Sequence, residues 1–246
     1  RGLMKKIRLG VNIDHVATLR NARNEGFPNL LDVTSNLKKL DVDSITVHLR
    51  EDRRHINDKD VDELKSQNIL PLNLEMAATH EMKNICLKTK PFSCCIVPER
   101  REELTTEGGL NVLAQMDYLS SYLPELINCS RVSLFVDPDK DQIIASKKLG
   151  VHAVELHTGR YSNLFKLNKY KEELVRIEKA AKICSELGLE CHAGHGLNYS
   201  NVKNISDIEQ IIELNVGHFL IGQSLFKGLT ETIKEFMKLI NHPKLK

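Results

Sequence analysis

This sequence predicts a single-domain α/β chain closed into a (β/α)8 (TIM) barrel with extra helices, and three observations carry that expectation. Strand-like runs alternate with helix-like runs eight times, without a break in composition between them, and strict alternation argues a parallel sheet covered by helices. The chain has 246 residues, the size at which eight such units close on themselves. Its first strand runs into Asn12-Ile13-Asp14-His15, not into the glycine-rich turn of an open dinucleotide-binding sheet.

Composition narrows the function. The chain is 41% hydrophobic and 28% charged, ordinary globular material with enough apolar side chain for a large core. A net charge of +2 and the lack of a basic stripe interleaved with aromatics point away from nucleic acid. No apolar run approaches a membrane span and the N-terminus has no signal-peptide core, so the expectation is no membrane and a cytoplasmic location. Arg1-Gly2-Leu3 ahead of Met4 reads as a cloning remnant, leaving 4–246 as the domain. The cysteines at 86, 94, 95, 129, 184 and 191 form no Cys-x-x-Cys pair and read as reduced core residues.

The first strand is Ile7 to Asn12, followed by a polar loop from Arg20 to Gly26. Pro28-Asn29 open a helix with Val33, Leu37 and Leu40 on one face. The second strand, Ile45-Thr46-Val47-His48-Leu49, is β-branched and alternating, and it breaks into Arg50-Glu51-Asp52-Arg53-Arg54-His55. Asn57 caps the next helix, which buries Val61 and Leu64. Pro71 to Met76 is the third strand, with Thr79 capping a helix to about Lys90. Phe92 to Val97 is the fourth, followed by a polar insertion, Glu99 to Gly109, and a helix around Leu110–Tyr122. Arg131 to Val136 is the fifth, and Asp137-Pro138-Asp139 start a helix that Gly150 stops. Ala153 to His157 is the sixth, with a long helix carrying Leu174, Ile177, Ala181 and Cys184. Glu190 to Ala193 is the seventh. Ser206-x-x-Glu209 reads as a capping box opening a helix through Ile211 and Ile212, with His218 to Gly222 as the eighth strand and a final helix through Ile233, Phe236, Met237 and Ile240.

Strand carboxyl ends converge on one mouth of a barrel, so polar residues there are catalytic candidates. They are Asn12 and Asp14 after strand one, His48 and Arg50 at strand two, Glu75 at strand three, Glu155 and His157 at strand six, and His195 after strand seven. Unpaired buried charge is costly, so ionisable groups recurring at this end imply a site, with His48, Glu75 and His195 as its core. Glu155 and His157 share the inward face of their strand. His80, His152 and His242 read as surface positions. Two features imply phosphate. Gly194-His195-Gly196 and Gly217-His218 lie at the recurrent phosphate seat of this fold. Arg20, Arg23, Arg50, Arg53, Arg54 and His55 crowd cations near the mouth, some of them paired with Glu51 and Asp52.

At these residues the chain resembles the pyridoxine 5′-phosphate synthase family. The resemblance rests on Gly10-Val-Asn-Ile-Asp-His15, Thr18-Leu-Arg-Asn-Ala-Arg23, Ile45 through His55 and Asn73-Leu-Glu-Met76. It continues through Thr105-Thr-Glu-Gly-Gly109, Glu155-Leu-His-Thr-Gly159, Ala193-Gly-His-Gly-Leu197 and Asn215-Val-Gly-His218. The resemblance implies two phosphorylated small-molecule substrates, 1-deoxy-D-xylulose 5-phosphate and 3-amino-2-oxopropyl phosphate, condensed to pyridoxine 5′-phosphate, phosphate and water. It further implies no metal and no organic cofactor, three helices added to the barrel, and a homo-octamer. By motif position, His48 and Glu75 would be bases, His195 an acid, and Glu155 the stabiliser of a cationic intermediate. Asp14, His15, Arg50, His55 and Thr105 would hold the deoxyxylulose phosphate. Asn12, Arg23, Gly196, Gly217 and His218 would hold the amino ketone phosphate. The Glu99–Gly109 insertion would be a lid. Two positions depart from the resemblance: His192 stands where asparagine is expected, and Gln223 where arginine is expected. Two other readings compete. One is a metal-dependent barrel ligated by His48, Glu75, His157 and His195, disfavoured by the lack of a close His-x-His pair. The other is a non-catalytic phosphate sensor.

Overall fold

The structure is a computed structural model that describes residues 6–241; Arg1-Gly2-Leu3 and His242 lie outside the described residues. In chain order, β1 (Arg8–Asn12) leads to α1 (Asp14–Asn21) and α2 (Leu30–Lys39), β2 (Ser44–His48) to α3 (Asp58–Gln67), and β3 (Leu72–Met76) to α4 (His80–Thr89). Then β4 (Ser93–Ile96) leads to α5 (Met116–Tyr122) and α6 (Pro124–Cys129), and β5 (Arg131–Val136) to α7 (Lys140–Lys148). Next, β6 (Ala153–His157) leads to α8 (Gly159–Lys166) and α9 (Lys171–Glu186), and β7 (Glu190–Gly194) to α10 (Val202–Ser206). Finally β8 (Ile211–Val216) leads to α11 (His218–Lys227) and α12 (Leu229–Ile240). The strands are all parallel, and β8 pairs with β1 to close the barrel. The helices added to a bare eight-unit barrel follow β1, β4, β6 and β8.

The helices begin where local chemistry starts them. Asn29, Thr79 and Asp139 each accept backbone N–H groups of the turn they cap. Asn57 and Asp60 form a reciprocal capping box on α3, satisfying two N–H groups that the helix itself leaves unpaired. Replacing Asn57 with alanine removes half of that box, so urea unfolding should show a loss of about 1 kcal/mol with ligand binding unchanged.

The strands alternate, but their inward face is polar. Leu9, Val11, Ile45, Val47, Leu72, Leu74, Leu134 and Leu156 belong to the hydrophobic core shared with the surrounding helices. On the other face, Ser93 donates to Asn73 at 2.9 Å, Asn73 to Thr46 at 3.3 Å, Thr46 to Asn215 at 3.2 Å, and Asn215 to Glu155 at 3.0 Å. Nearer the amino ends of the strands, Arg8 bridges Glu213 and Glu190 at 2.8 Å each, and His192 sits 3.1 Å from Glu190 and 3.5 Å from Glu213. Such groups persist inside a barrel only because each finds a partner. Gly10 passes this column closely: a Cβ there would lie 2.1 Å from Asn215 Oδ1.

That polar column explains the one strand misplaced by sequence reading. Ile211–Val216 is β8, not the start of a helix, and Ser206 ends α10 instead of capping its successor; His218–Gly222, expected as the eighth strand, is the first half of α11. In β8, Leu214 and Val216 join the core while Glu213 and Asn215 enter the column. Buried polar groups at those positions make a barrel strand look like the margin of an amphipathic helix. Further differences are α1, which occupies part of the span between Asp14 and the polar loop, the later start of α5 at Met116 with α6 following it, and the separation of α8 from α9, so that among the described residues four helices are added where the resemblance implies three. The remaining strands and their helices lie where the alternation places them.

Candidate active site

The carboxyl ends of the strands surround a cavity of about 990 Å³. Parallel pairing of β2 with β3 sets His48 directly opposite Glu75, and His48 Nδ1 lies 3.9 Å from Glu75 Oε2. The His48 backbone N–H donates to Asp14 Oδ1 at 2.8 Å. Asp14 is itself held by Asn12, whose amide donates to Asp14 Oδ2 at 2.9 Å while its Oδ1 accepts the Asp14 N–H at 2.9 Å. Two adjacent strand ends therefore bring this imidazole and carboxyl together, already fixed from a third.

Opposite them, His195 follows β7. Its φ of +85° lies in the left-handed region that a non-glycine residue enters only when its surroundings hold it there. Thr158 does so, its hydroxyl reaching the carbonyls of Gly194 and His195 at 2.7 Å each, and Asn201 holds the Gly196 carbonyl at 3.1 Å. The His195 ring packs edge-on to His157 with centroids 4.9 Å apart, and Phe135 closes against His157 at 4.7 Å. Relief of the strained backbone by His195→Gly should leave unfolding midpoints equal or higher while the chemistry of this group is lost, a split that melting and turnover measurements would resolve.

Burial decides the charges. Glu75 is pushed well above the ordinary carboxylate range, first by burial and then by the neighbouring Glu155 and Asp14. Glu155 is pushed up to about 7 by burial, with Glu213 adding to the rise and His192 and Asn215 opposing it. His195 is lowered by burial, and His157 is lowered to about 4 by burial and by His195 beside it. The floor of the cavity thus holds acids inclined to keep a proton and imidazoles inclined to lose one, the arrangement from which acid–base chemistry near neutral pH is built.

The rim is suited to anions. His48, His55, His15 and His218 succeed one another along the β1–β2–β8 side, with neighbouring ring centroids 6.4, 6.2 and 5.1 Å apart. Arg50 lines the cavity with its Nε lacking a hydrogen-bond partner. Gly217 caps α11 without a side-chain hydrogen bond, so the first N–H groups of that helix lie open beside the cavity, with Gly196 across from them.

Of the residues singled out from sequence, Asn12, Asp14, His15, His48, Arg50, Glu75, Glu155, His195, Gly196, Gly217 and His218 line this one cavity, as does His157. His55 is buried just behind the lining, its Nε2 3.9 Å from Asp14. Thr105 is turned away, its hydroxyl bonded to Asp137. Arg23 lies outside the cavity, 79% exposed and paired with Glu25. The crowd of cations resolves into partners: Arg20 with Asp60, Arg53 with Asp58 and Glu81, and Arg54 with Asp52. Gln223 lines the cavity on α11, so its departure from arginine leaves one cation fewer at that rim; His192 belongs to the column below Glu155. Among the described residues, the grouping close enough to share an ion is Asp14, His48 and Glu75; it includes neither His157 nor His195, so the four-ligand metal reading does not assemble.

Sequence reading missed Glu99, Phe135, Asn198 and Asn215. Glu99 contacts His48 and the others line the cavity. Glu99 had a usable signal, being a carboxylate immediately after the fourth strand and Pro98. Asn215 was hidden by the misplaced eighth strand. The insertion after β4 closes over the cavity: Gly108 lines it, and Glu107 reaches Arg160 at 3.2 Å and Arg176 at 2.6 Å on α8 and α9.

Known proteins resemble the chain closely. Residues 9–242 match the family described as pyridoxal phosphate biosynthesis protein PdxJ. The chain is 50% identical over 240 residues to the pyridoxine 5′-phosphate synthase of Zymomonas mobilis, spanning 97% of this chain and 93% of that one. It is 48% identical over 238 residues to the synthase of Ehrlichia chaffeensis, spanning 96% and 98%. Among solved structures, 3-keto-L-gulonate-6-phosphate decarboxylase from Vibrio cholerae aligns with a TM-score of 0.65 at 13% identity, covering 97% of this chain and 100% of that one. That likeness carries the barrel fold alone.

Proposed function

The chain belongs to the pyridoxine 5′-phosphate synthase family, and on that premise we propose that its cavity condenses 1-deoxy-D-xylulose 5-phosphate with 3-amino-2-oxopropyl phosphate, His48, Glu75 and His195 moving the protons. The observation that carries this assignment is the placing of Glu75 beside His48 on one wall, with His195 on another, in one cavity. Joining an amine to a ketone, expelling water and phosphate, and closing a ring each require a proton taken from carbon or nitrogen and another given to a departing oxygen. Glu75 and His48 take protons from the side of β2 and β3. His195, lowered by burial while the cavity is empty, takes up a proton once a dianionic phosphate arrives at Gly196 next to it, and then has that proton to give. Glu155, ionised, faces a cationic imine from below. Arg50, with His15 and His55, receives the deoxyxylulose phosphate, and the open end of α11 receives the amino ketone phosphate. Arg23 and Thr105 join only after movement of the α1 end and of the insertion, which fits a lid that completes the site on binding.

The test is an assay of purified protein with both phosphorylated substrates and excess EDTA, reading pyridoxine 5′-phosphate by mass and phosphate release alongside. Product that needs both substrates and survives EDTA supports the reading and excludes the metal-dependent one. Folded protein that binds phosphate esters but yields no product points to a sensor. We extend the reading to a homo-octamer in the cytoplasm. Its support is the family resemblance, with Leu225 74% and Phe226 85% exposed on α11 as an apolar contact open to another copy; light scattering of the intact protein checks the octamer, and any mass other than that of eight chains would sink it. No helix among the described residues is long and apolar enough to cross a membrane.

A further inference from the structure

Glu99 stands at the root of the insertion, directly after Pro98, with its side chain 5% exposed. One carboxylate oxygen lies 2.8 Å from His48 Nε2, and the other accepts the Glu51 backbone N–H at 3.1 Å. Its own N–H and that of Arg100 donate to Glu103, at 2.7 and 3.1 Å, so the segment carrying Glu99 is fixed as well. Burial alone would raise this carboxyl, but the bonds to His48 and to the Glu51 N–H hold it below the ordinary value. An ionised carboxylate can only accept. The hydrogen of a neutral His48 ring is therefore on Nε2, and the lone pair on Nδ1 faces Glu75 and the cavity.

We propose that Glu99 is a positioning residue for the reaction, holding His48 in the Nε2–H tautomer so that Nδ1 is the atom that takes the proton. This rests on the reading of His48 as a proton acceptor, and it adds that the orienting group comes from the root of the insertion that closes over the site. Asp14 fixes the His48 backbone, which does not select the basic nitrogen; Glu99 fixes the ring and does.

The decisive variant is Glu99→Gln. The amide oxygen must stay on the Glu51 N–H, because the amide nitrogen has no use for a second donor there. The NH2 group then points at His48 Nε2, which has to become an acceptor, and the ring hydrogen moves to Nδ1. Histidine 15N NMR of the intact protein, at a pH where the imidazoles are neutral, reads the tautomer without any need for turnover; the His48 signals are identified by their loss in His48→Gln. The expected result is an Nε2–H ring in the native chain and an Nδ1–H ring in Glu99→Gln, with kcat lower on the order of 100-fold and KM within about 2-fold, as for loss of a correctly oriented base. Glu99→Asp, which restores an acceptor, should recover the native tautomer and part of kcat. An Nδ1–H ring in the native chain overturns the proposal, even if no variant folds. So does Glu99→Gln with native tautomer and native kcat. A native chain that shows the Nε2–H ring but makes no product condemns the proposed reaction, not the orienting contact.

Discussion

Glu75→Gln should bring kcat down by about 10²- to 10⁴-fold, the contribution of a positioned general base, while KM moves little and the melting temperature does not fall. Glutamine keeps the shape and the hydrogen-bonding reach of the side chain opposite His48, so substrates still find their seats. What disappears is the ability to hold a proton and release it. The native pH profile carries the same signature. Because Glu75 is raised well above the 4.5 of an ordinary glutamic acid, its base form is lost as pH falls through that raised value, and kcat/KM should decline on the acid side at a pH above 4.5. The apparent pKa reflects Glu75 together with the carboxylates that raise it, Glu155 and Asp14. In Glu75→Gln that limb should move or disappear, because the group that carries it no longer ionises. Native kcat in this variant, or an acid limb that stays where it was, would remove Glu75 from the chemistry.

Much of this was legible in the chain because the periodicities of a barrel are simple. Ile45 to Leu49 alternates as a strand must, and the charged burst after it marks the mouth; the same reading located Glu75, Glu155 and His195. Part of what was not legible follows from one physical cause. The interior of this barrel is polar, and a sequence does not state which face of a strand is enclosed. Glu213 and Asn215 lie on the enclosed face, yet in the sequence they look solvated, so β8 passed for helix and Asn215, quoted only as part of a motif, received no role. Glu99 was missed for a different reason: its partner is 51 residues away, and only the folded chain brings a loop carboxylate onto the Nε2 of His48. Arg23 and Thr105 show the converse. Sequence resemblance places them at the substrates, whereas the structure pairs them with Glu25 and Asp137.

Glu155 supplies the other large effect, and it is a gain of stability. Glu155 lies wholly inside the barrel with its pKa raised from 4.5 to about 7. The groups that face it are Glu213, His192 and Asn215 from β7 and β8, together with Glu75 and Cys95, which feel its charge from β3 and β4. A carboxyl whose folded value exceeds its unfolded value favours folding while it is protonated, and that contribution is present in full below the unfolded value. It is lost as pH rises through the folded value. Between pH 4.5 and about 7, ionisation should therefore withdraw about 3 kcal/mol of stability. Glu155→Gln cannot ionise, and its amide oxygen still accepts the Asn215 bond. Relative to the native chain, this variant should be no more stable near pH 4.5 and more stable by about 3 kcal/mol above pH 7, as read from urea unfolding across that range. Turnover should fall at the same time, because the charge that destabilises the empty barrel is the one that would stabilise a cationic intermediate. A stability difference that does not change with pH would mean that Glu155 keeps an ordinary pKa and that its ionisation costs the fold nothing. A variant that is both more stable and fully active would mean that the charge exists but serves no step of the reaction.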